Sequence, residues 1–461
     1  MNRGIKDRIV VLSTTAILGY GFPVESFEEG LSRNPDVLAV DAGSTDPGPY
    51  YLGAGVSFTD RLAVKRDLAL MLKAGCSRKI PVIVGSAGGS GADIHLEWCL
   101  DIVREIALEE GLKFKLAIIG AEIKKPLLRE KLAAGKIVPL SPGGQLDPES
   151  LEAATRVVGQ MGVEPFIAAL QSGAEVIIAG RAYDPAVFAA YPIWQGFDRG
   201  LALHMGKILE CASIASLPGS GSDCMLGTLT ADQFELEPLN PARRCTTTSV
   251  AAHTLYEKTN PYTLPGPGGV LDLQETTFEA VNERVVRVKG SRFLPAKHYS
   301  VKLEGARLVG YRTVAIAGAR DPVFIAKVGE IINGVRERAT DNFRELAGKY
   351  RLLFRLYGIN GIMGELEPLK NPQPHELGII IEAVAQTQEL ADTICSFARS
   401  TMLHYGFEGR LATAGNLAFP YSPSDFKAGE VYQFAVHHLI LVDNPEELFP
   451  VSREFIGGAG L

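Results

Sequence analysis

The chain has 461 residues, 46% hydrophobic and 21% charged, a composition that excludes a disordered polypeptide and leaves room for two domains with cores of their own. A formal net charge of −7 offers no footprint for nucleic acid or anionic lipid, and no apolar run approaches the roughly 20 residues a membrane span needs. Cysteines at 76, 99, 211, 224, 245 and 395 include no CxxC spacing, which argues against a zinc or iron–sulfur framework and for reduced thiols in a cytoplasmic protein.

Arg3, Lys6 and Arg8 precede an apolar run and imitate a secretory leader. Ser13, Thr14 and Thr15 interrupt that run, which reads better as a first buried strand over 8–13. Further apolar runs at 37–40, 80–84, 116–119 and 176–179 end at Asp41, Gly85, Gly120 and Gly180. Helical patterns over 60–74, 94–110 and 148–159 separate them. This alternation predicts an α/β domain, a mostly parallel sheet with flanking helices. In such sheets ligands bind beyond the carboxyl ends of the strands, so the loops after these runs are where chemistry is expected.

The first such loop, Asp41 to Asp46, offers two carboxylates and two hydroxyls for a substrate or a metal, although Asp, Ser and Gly are also ordinary turn residues. The second, GSAGGSGAD over 85–93, opens a helix. Ser86, Gly88 and Gly89 suit it to cradling a carboxylate or phosphate, without a Walker pattern, and Asp93 also suits a helix cap. The third places Arg181 and Asp184 just after a buried strand. Arg181 has the planar fork for a carboxylate, and Asp184 is either an acid/base group or the partner of Arg181.

A helical stretch, HMGKILEC over 204–211, follows, with Lys207, Glu210 and Cys211 within one turn and His204 on a neighbouring face. Lys207 and Glu210 read either as proton-transfer groups or as a solvated pair on an amphipathic helix. Arg243, Arg244, Thr246, Thr247 and Ser249 precede a helical run at 250–258 and form a candidate anion site. Asp272, inside the apolar strand 270–273, needs a partner or a ligand.

From about 280 the pattern changes. Antiparallel strands with charged outer faces are expected at 284–288, 299–303 and 307–317. A helix at 322–349, strands at 351–357 and 378–385, a helix at 388–404 and a last strand at 431–442 follow. This is a smaller α+β domain with antiparallel strands, and the boundary is placed near 275, giving domains 1–275 and 276–461. His437 and His438 point to opposite faces of the last strand and read as structural.

GSAGGSGAD at 85–93, GRAYD at 180–184, HMGKILECASIA at 204–215, TTTSVAAHTLYEKTNPYTLPG at 246–266 and LDL at 271–273 resemble the acyclic terpene utilisation AtuA family. The resemblance spans roughly residues 30–275, and the remainder more weakly. It implies a catabolic setting that runs through CoA thioesters, and a two-part architecture. It implies no catalytic list.

The expected function is a lyase or hydratase acting on a hydroxy- or unsaturated carboxylic acid, free or as a CoA thioester. Glu210, Lys207 or Asp184 would move the proton, and Arg181, Arg244, Thr246, Thr247, Ser86, Gly88 and Gly89 would bind substrate. Magnesium held by Asp41, Asp46 or Asp272 would stabilise an enolate. The expected partners are the small-molecule carboxylate or thioester and a small companion subunit, in a homo-oligomer. The alternatives are a non-catalytic subunit of a catabolic complex, and a CoA-thioester hydrolase or transferase using Cys245 or Ser249. Arg181, Glu210 and Thr247 are expected to meet in one cleft.

Overall fold

Five short apolar strands, Ile9–Ser13, Val37–Asp41, Val82–Gly85, Val176–Ala179 and Phe114–Ile119, lie side by side in that order, and every adjacent pair is parallel. The computed structural model in which they are seen describes residues 6–140, 142–370 and 372–457. Their side chains alternate between two cores. Ile9, Val11, Val37, Ala39, Ile83 and Ile177 enter one cluster, and Val10, Leu12, Leu38, Val40, Val82 and Ile178 the other. Helices cover both faces. Arg61–Arg78 and Asp93–Glu110 pack on the second cluster, while Glu164–Gln171, Asp184–Trp194 and Arg199–Leu209 pack on the first. Double coverage explains why the strands read as continuous apolar runs.

Antiparallel strands extend the parallel block at both edges into ten strands. Met225–Leu229, Gln233–Pro238, Val286–Lys289 and Thr277–Ala280 continue from the first strand, and Val451–Ile456 closes beside Phe114–Ile119. The strand over 431–442 is therefore not the last: Asp425–Val442 is followed by this edge strand.

The chain divides into two compact units, Met1–Arg307 with Phe434–Leu461, and Leu308–Gln433. The change of pattern near residue 275 falls inside the first. In the second, Tyr311–Ala319 and Tyr350–Tyr357 flank Leu377–Ala385 in antiparallel pairing, with Val328–Asn342 and Gln388–Leu403 packed on a separate core. This is the antiparallel α+β part.

Three elements differ from the sequence reading. The helix expected over 148–159 stops at Ala153, and Arg156–Gly159 is a strand whose β-branched run pairs with 303–306. The two strands at 299–303 and 307–317 are one, Tyr299–Ala319. Gly305 marks no turn: a side chain there would press on Val157 and Val436. The helix at 322–349 is two, Pro322–Ala326 and Val328–Asn342.

Candidate functional site

The parallel block runs 1-2-3 in chain order and then admits the 176–179 strand ahead of the 114–119 strand. That break in order leaves a crevice beyond the strand ends. The loops after 41, 85 and 179 meet there. The glycine-rich loop contributes packing. Amides of Ser86 and Ala87 bond to the carbonyls of Gly180 and Ala179, and those of Gly89 and Gly91 bond within the loop. Gly91, at φ +64, lies so close to the Arg181 backbone that a side chain there would overlap it. Gly88 and Gly89, at φ +64 and +90, lie similarly close to His95 and Phe58. With those four amides committed, the loop is a brace for the 181 strand end.

Backbone pairing brings in a partner from far along the chain. Met161 bridges Ala182, and Gly159 pairs with Leu303, which places Glu304 beside Arg181. Arg181 Nε donates to Glu304 Oε2 at 2.8 Å, and its Nη1 donates to Asp184 Oδ1 at 2.9 Å, Ser86 Oγ at 3.2 Å and the Ala182 carbonyl at 2.9 Å. Lys302 Nζ lies 2.8 Å from Glu304 Oε1. Burial opposes the Glu304 charge, but Arg181 and then Lys302 outweigh it and hold the carboxyl down at about 2. The fork of Arg181 is largely occupied by the protein's own carboxylates.

A cavity of about 590 Å³ opens above this pair, lined by Asp46, Arg181, Asp184, Lys207, Glu210, Lys258, Lys302 and His437 among others. Its size is that of an ordinary small-molecule site. Lys207 and Glu210 stand at the end of the helix Arg199–Leu209, buried as residues, and the Lys207 ammonium donates to Glu210 Oε1. Glu210 Oε2 is buried without a hydrogen-bond partner. Burial, and secondarily the Asp184 charge, push Glu210 up to about 7 against the pull of Lys207. Burial also raises Asp184 and, with the Asp184 charge, raises Asp41. Asp184 keeps 27% side-chain exposure because it faces the cavity.

The cavity brings Arg181, Asp184, Lys207, Glu210 and Asp46 together. Arg244, Thr246, Thr247 and Asp272 are not in its lining. Arg244 makes a backbone bridge with Leu217, Thr246 and Ser249 form a capping box on the helix Thr247–Thr254, and Asp272 pairs with Arg292 at 3.5 Å. Ser86 is fully buried beneath Arg181. Asp41 Oδ2 accepts from the Gly43 amide at 3.0 Å while Oδ1 is unpartnered, and Asp46 accepts from Ser44 at 2.8 Å. Among the described residues no three His, Cys, Asp or Glu side chains gather in a metal-holding group. Sequence reasoning missed Lys302, Glu304 and Lys258, and His437 lines the cavity where a purely structural role was expected. His438 Nδ1 accepts from the His437 backbone amide at 3.0 Å, and its Nε2 meets the Gly144 carbonyl at 3.0 Å.

These features define a class: an α/β protein with a polar cavity at the carboxyl ends of a parallel sheet. A family model, described as acyclic terpene utilisation family protein AtuA, matches residues 62–217 and 239–422, and the chain belongs to that family. No curated protein and no solved structure matches it. Among the described residues no helix is long and apolar enough to cross a membrane.

Proposed function

We propose that this AtuA-family chain is a catabolic lyase of the hydratase type, which moves a proton at the carbon beside the carboxyl or thioester carbonyl of a hydroxy- or unsaturated acid. One observation carries the reading: Glu210 lines the cavity with one buried, unpartnered oxygen and a carboxyl raised to about 7, while Lys207 holds its other oxygen. A base poised near neutral pH maximises both its charged fraction and its driving force. In the dehydration direction Glu210 Oε2 takes the α-proton and the C–H electron pair passes into an enolate, which then forms the double bond as the hydroxyl is expelled. The C–O bond breaks, and Asp184, whose pKa burial raises above the usual carboxylate value, delivers a proton to the departing hydroxyl as water leaves. Lys207 supplies positive charge for the enolate that develops between these events.

The hydrolase or transferase alternative loses support from placement. Cys245 is buried against Met225, with its thiol pushed up to about 12 by burial, and Ser249 is spent on the helix cap. The non-catalytic alternative leaves the buried, raised carboxylates without a purpose.

The test is a panel of hydroxy- and unsaturated acids, free and as CoA thioesters, in deuterated water, with exchange at the α-carbon followed by NMR. Wild type is expected to exchange at least one of them. Glu210→Gln, still folded by circular dichroism, is expected to be roughly 10²–10⁴-fold slower. A surface pair would contribute only ~0.2–0.5 kcal/mol. Equal exchange by the two proteins, or none by wild type on any acid, would contradict the proposal.

A further inference from the structure

Four cationic side chains line the cavity: Arg181, Lys207, Lys258 and Lys302. Arg181 is paired with Glu304 and Asp184, Lys207 with Glu210, and Lys302 with Glu304. The Lys258 ammonium forms no ion pair and no side-chain hydrogen bond among the described residues. It follows the helix Thr247–Thr254 by one turn, half-buried, and lines the same cavity as Glu210.

A partly desolvated ammonium without a counter-ion costs free energy unless something anionic completes it. Burial and then the neighbouring Lys207 lower the Lys258 pKa and outweigh the opposing pull of Glu210, Glu257 and Asp184, none of which forms an ion pair with it. The anion that fits is small and singly charged at the point of contact. Asp46, Asp184, Glu210 and Glu257 also line the cavity, and their carboxylates disfavour a phosphate or pyrophosphate group. We propose that Lys258 anchors a free carboxylate of the substrate in this cavity, so that the acid itself, not its CoA thioester, is what binds. The proposal rests on the proton-transfer reading of the cavity and names its substrate class. The carboxylate held by Lys258 fixes the molecule, and the adjacent carbon presents its proton to Glu210.

The experiment is isothermal titration of the full chain with malonate, succinate, glutarate, neutral succinamide and CoA. Wild type is expected to bind at least one dicarboxylate and not succinamide. Lys258→Met should weaken that dicarboxylate roughly 10- to 100-fold, the loss of one charge-assisted hydrogen bond. Lys258→Arg should keep most of the affinity, which separates loss of the charge from loss of the fold. Glu210→Gln should keep it too. Retained binding with unaltered exchange in Glu210→Gln would overturn the proton-transfer reading but leave the anchor. Unchanged affinity in Lys258→Met, no dicarboxylate bound by wild type, or CoA bound in preference to every dicarboxylate would overturn the anchor.

Discussion

Arg181 and Glu304 are 123 positions apart, and each is almost wholly removed from solvent where they meet under the cavity. Removing one partner of such a pair leaves the other charge buried and uncompensated, at a cost of about 3–5 kcal/mol. Because the folded Glu304 carboxyl sits at about 2, below the roughly 4.3 of an unfolded chain, its stabilisation is present above that unfolded value and fades as pH falls toward 2. Thermal melts of Glu304→Gln against wild type should therefore show a large deficit at neutral pH that narrows below about pH 4. A deficit independent of pH would mean that Glu304 carries no charge in the native state. None of this pair was legible as a pair. Arg181 stood out because it follows a buried strand. Glu304 fell in the supposed gap between two strands, and only the i, i+2 spacing of Lys302 and Glu304 on one strand face hinted at a shared role.

At the scale of elements, the helix Arg199–Leu209 packs against Asp184–Trp194, and Gly206 lets the two backbones approach closely at the start of the latter. A side chain there would overlap the Pro185 carbonyl. That close approach brings Lys207 and Glu210 to the same cavity as Asp184. Helix propensity alone predicts that Gly206→Ala stabilises by about 1 kcal/mol. Contact with backbone cannot be relieved by a rotamer change, so overpacking of about 1–3 kcal/mol should prevail. We expect a lower melting temperature for Gly206→Ala and reduced α-carbon exchange. A raised melting temperature would show that the two helices are free to part. The amphipathic alternative for Lys207 and Glu210 arose because spacing cannot tell a solvated helix face from one pressed against a second helix. The hydroxyl-rich segment at 243–249 misled for a related reason: the capping box of Thr246 and Ser249 uses the same residue types as an anion site.

Across the whole molecule, period and punctuation carried most of the first unit: apolar runs ending in glycine or aspartate, with helices between, became the parallel block and its strand-end loops. What they could not carry was pairing at long range. The edge strand Val451–Ile456, the ladder from Arg156–Gly159 to residues 303–306, and the convergence of Lys258, Lys302 and His437 on one cavity depend on which strands lie side by side. No periodicity encodes that. The central claim is that the cavity so assembled moves a proton through Glu210 under the control of Lys207. The measurement that tests it most directly is the pH dependence of α-carbon exchange in wild type and Lys207→Met. Glu210 must be deprotonated to act as the base, so the wild-type rate should rise with pH through about 7. Lys207 favours the charged form of Glu210, so its replacement should move that rise to higher pH. A wild-type profile flat across neutrality, or one left in place by Lys207→Met, would contradict the account.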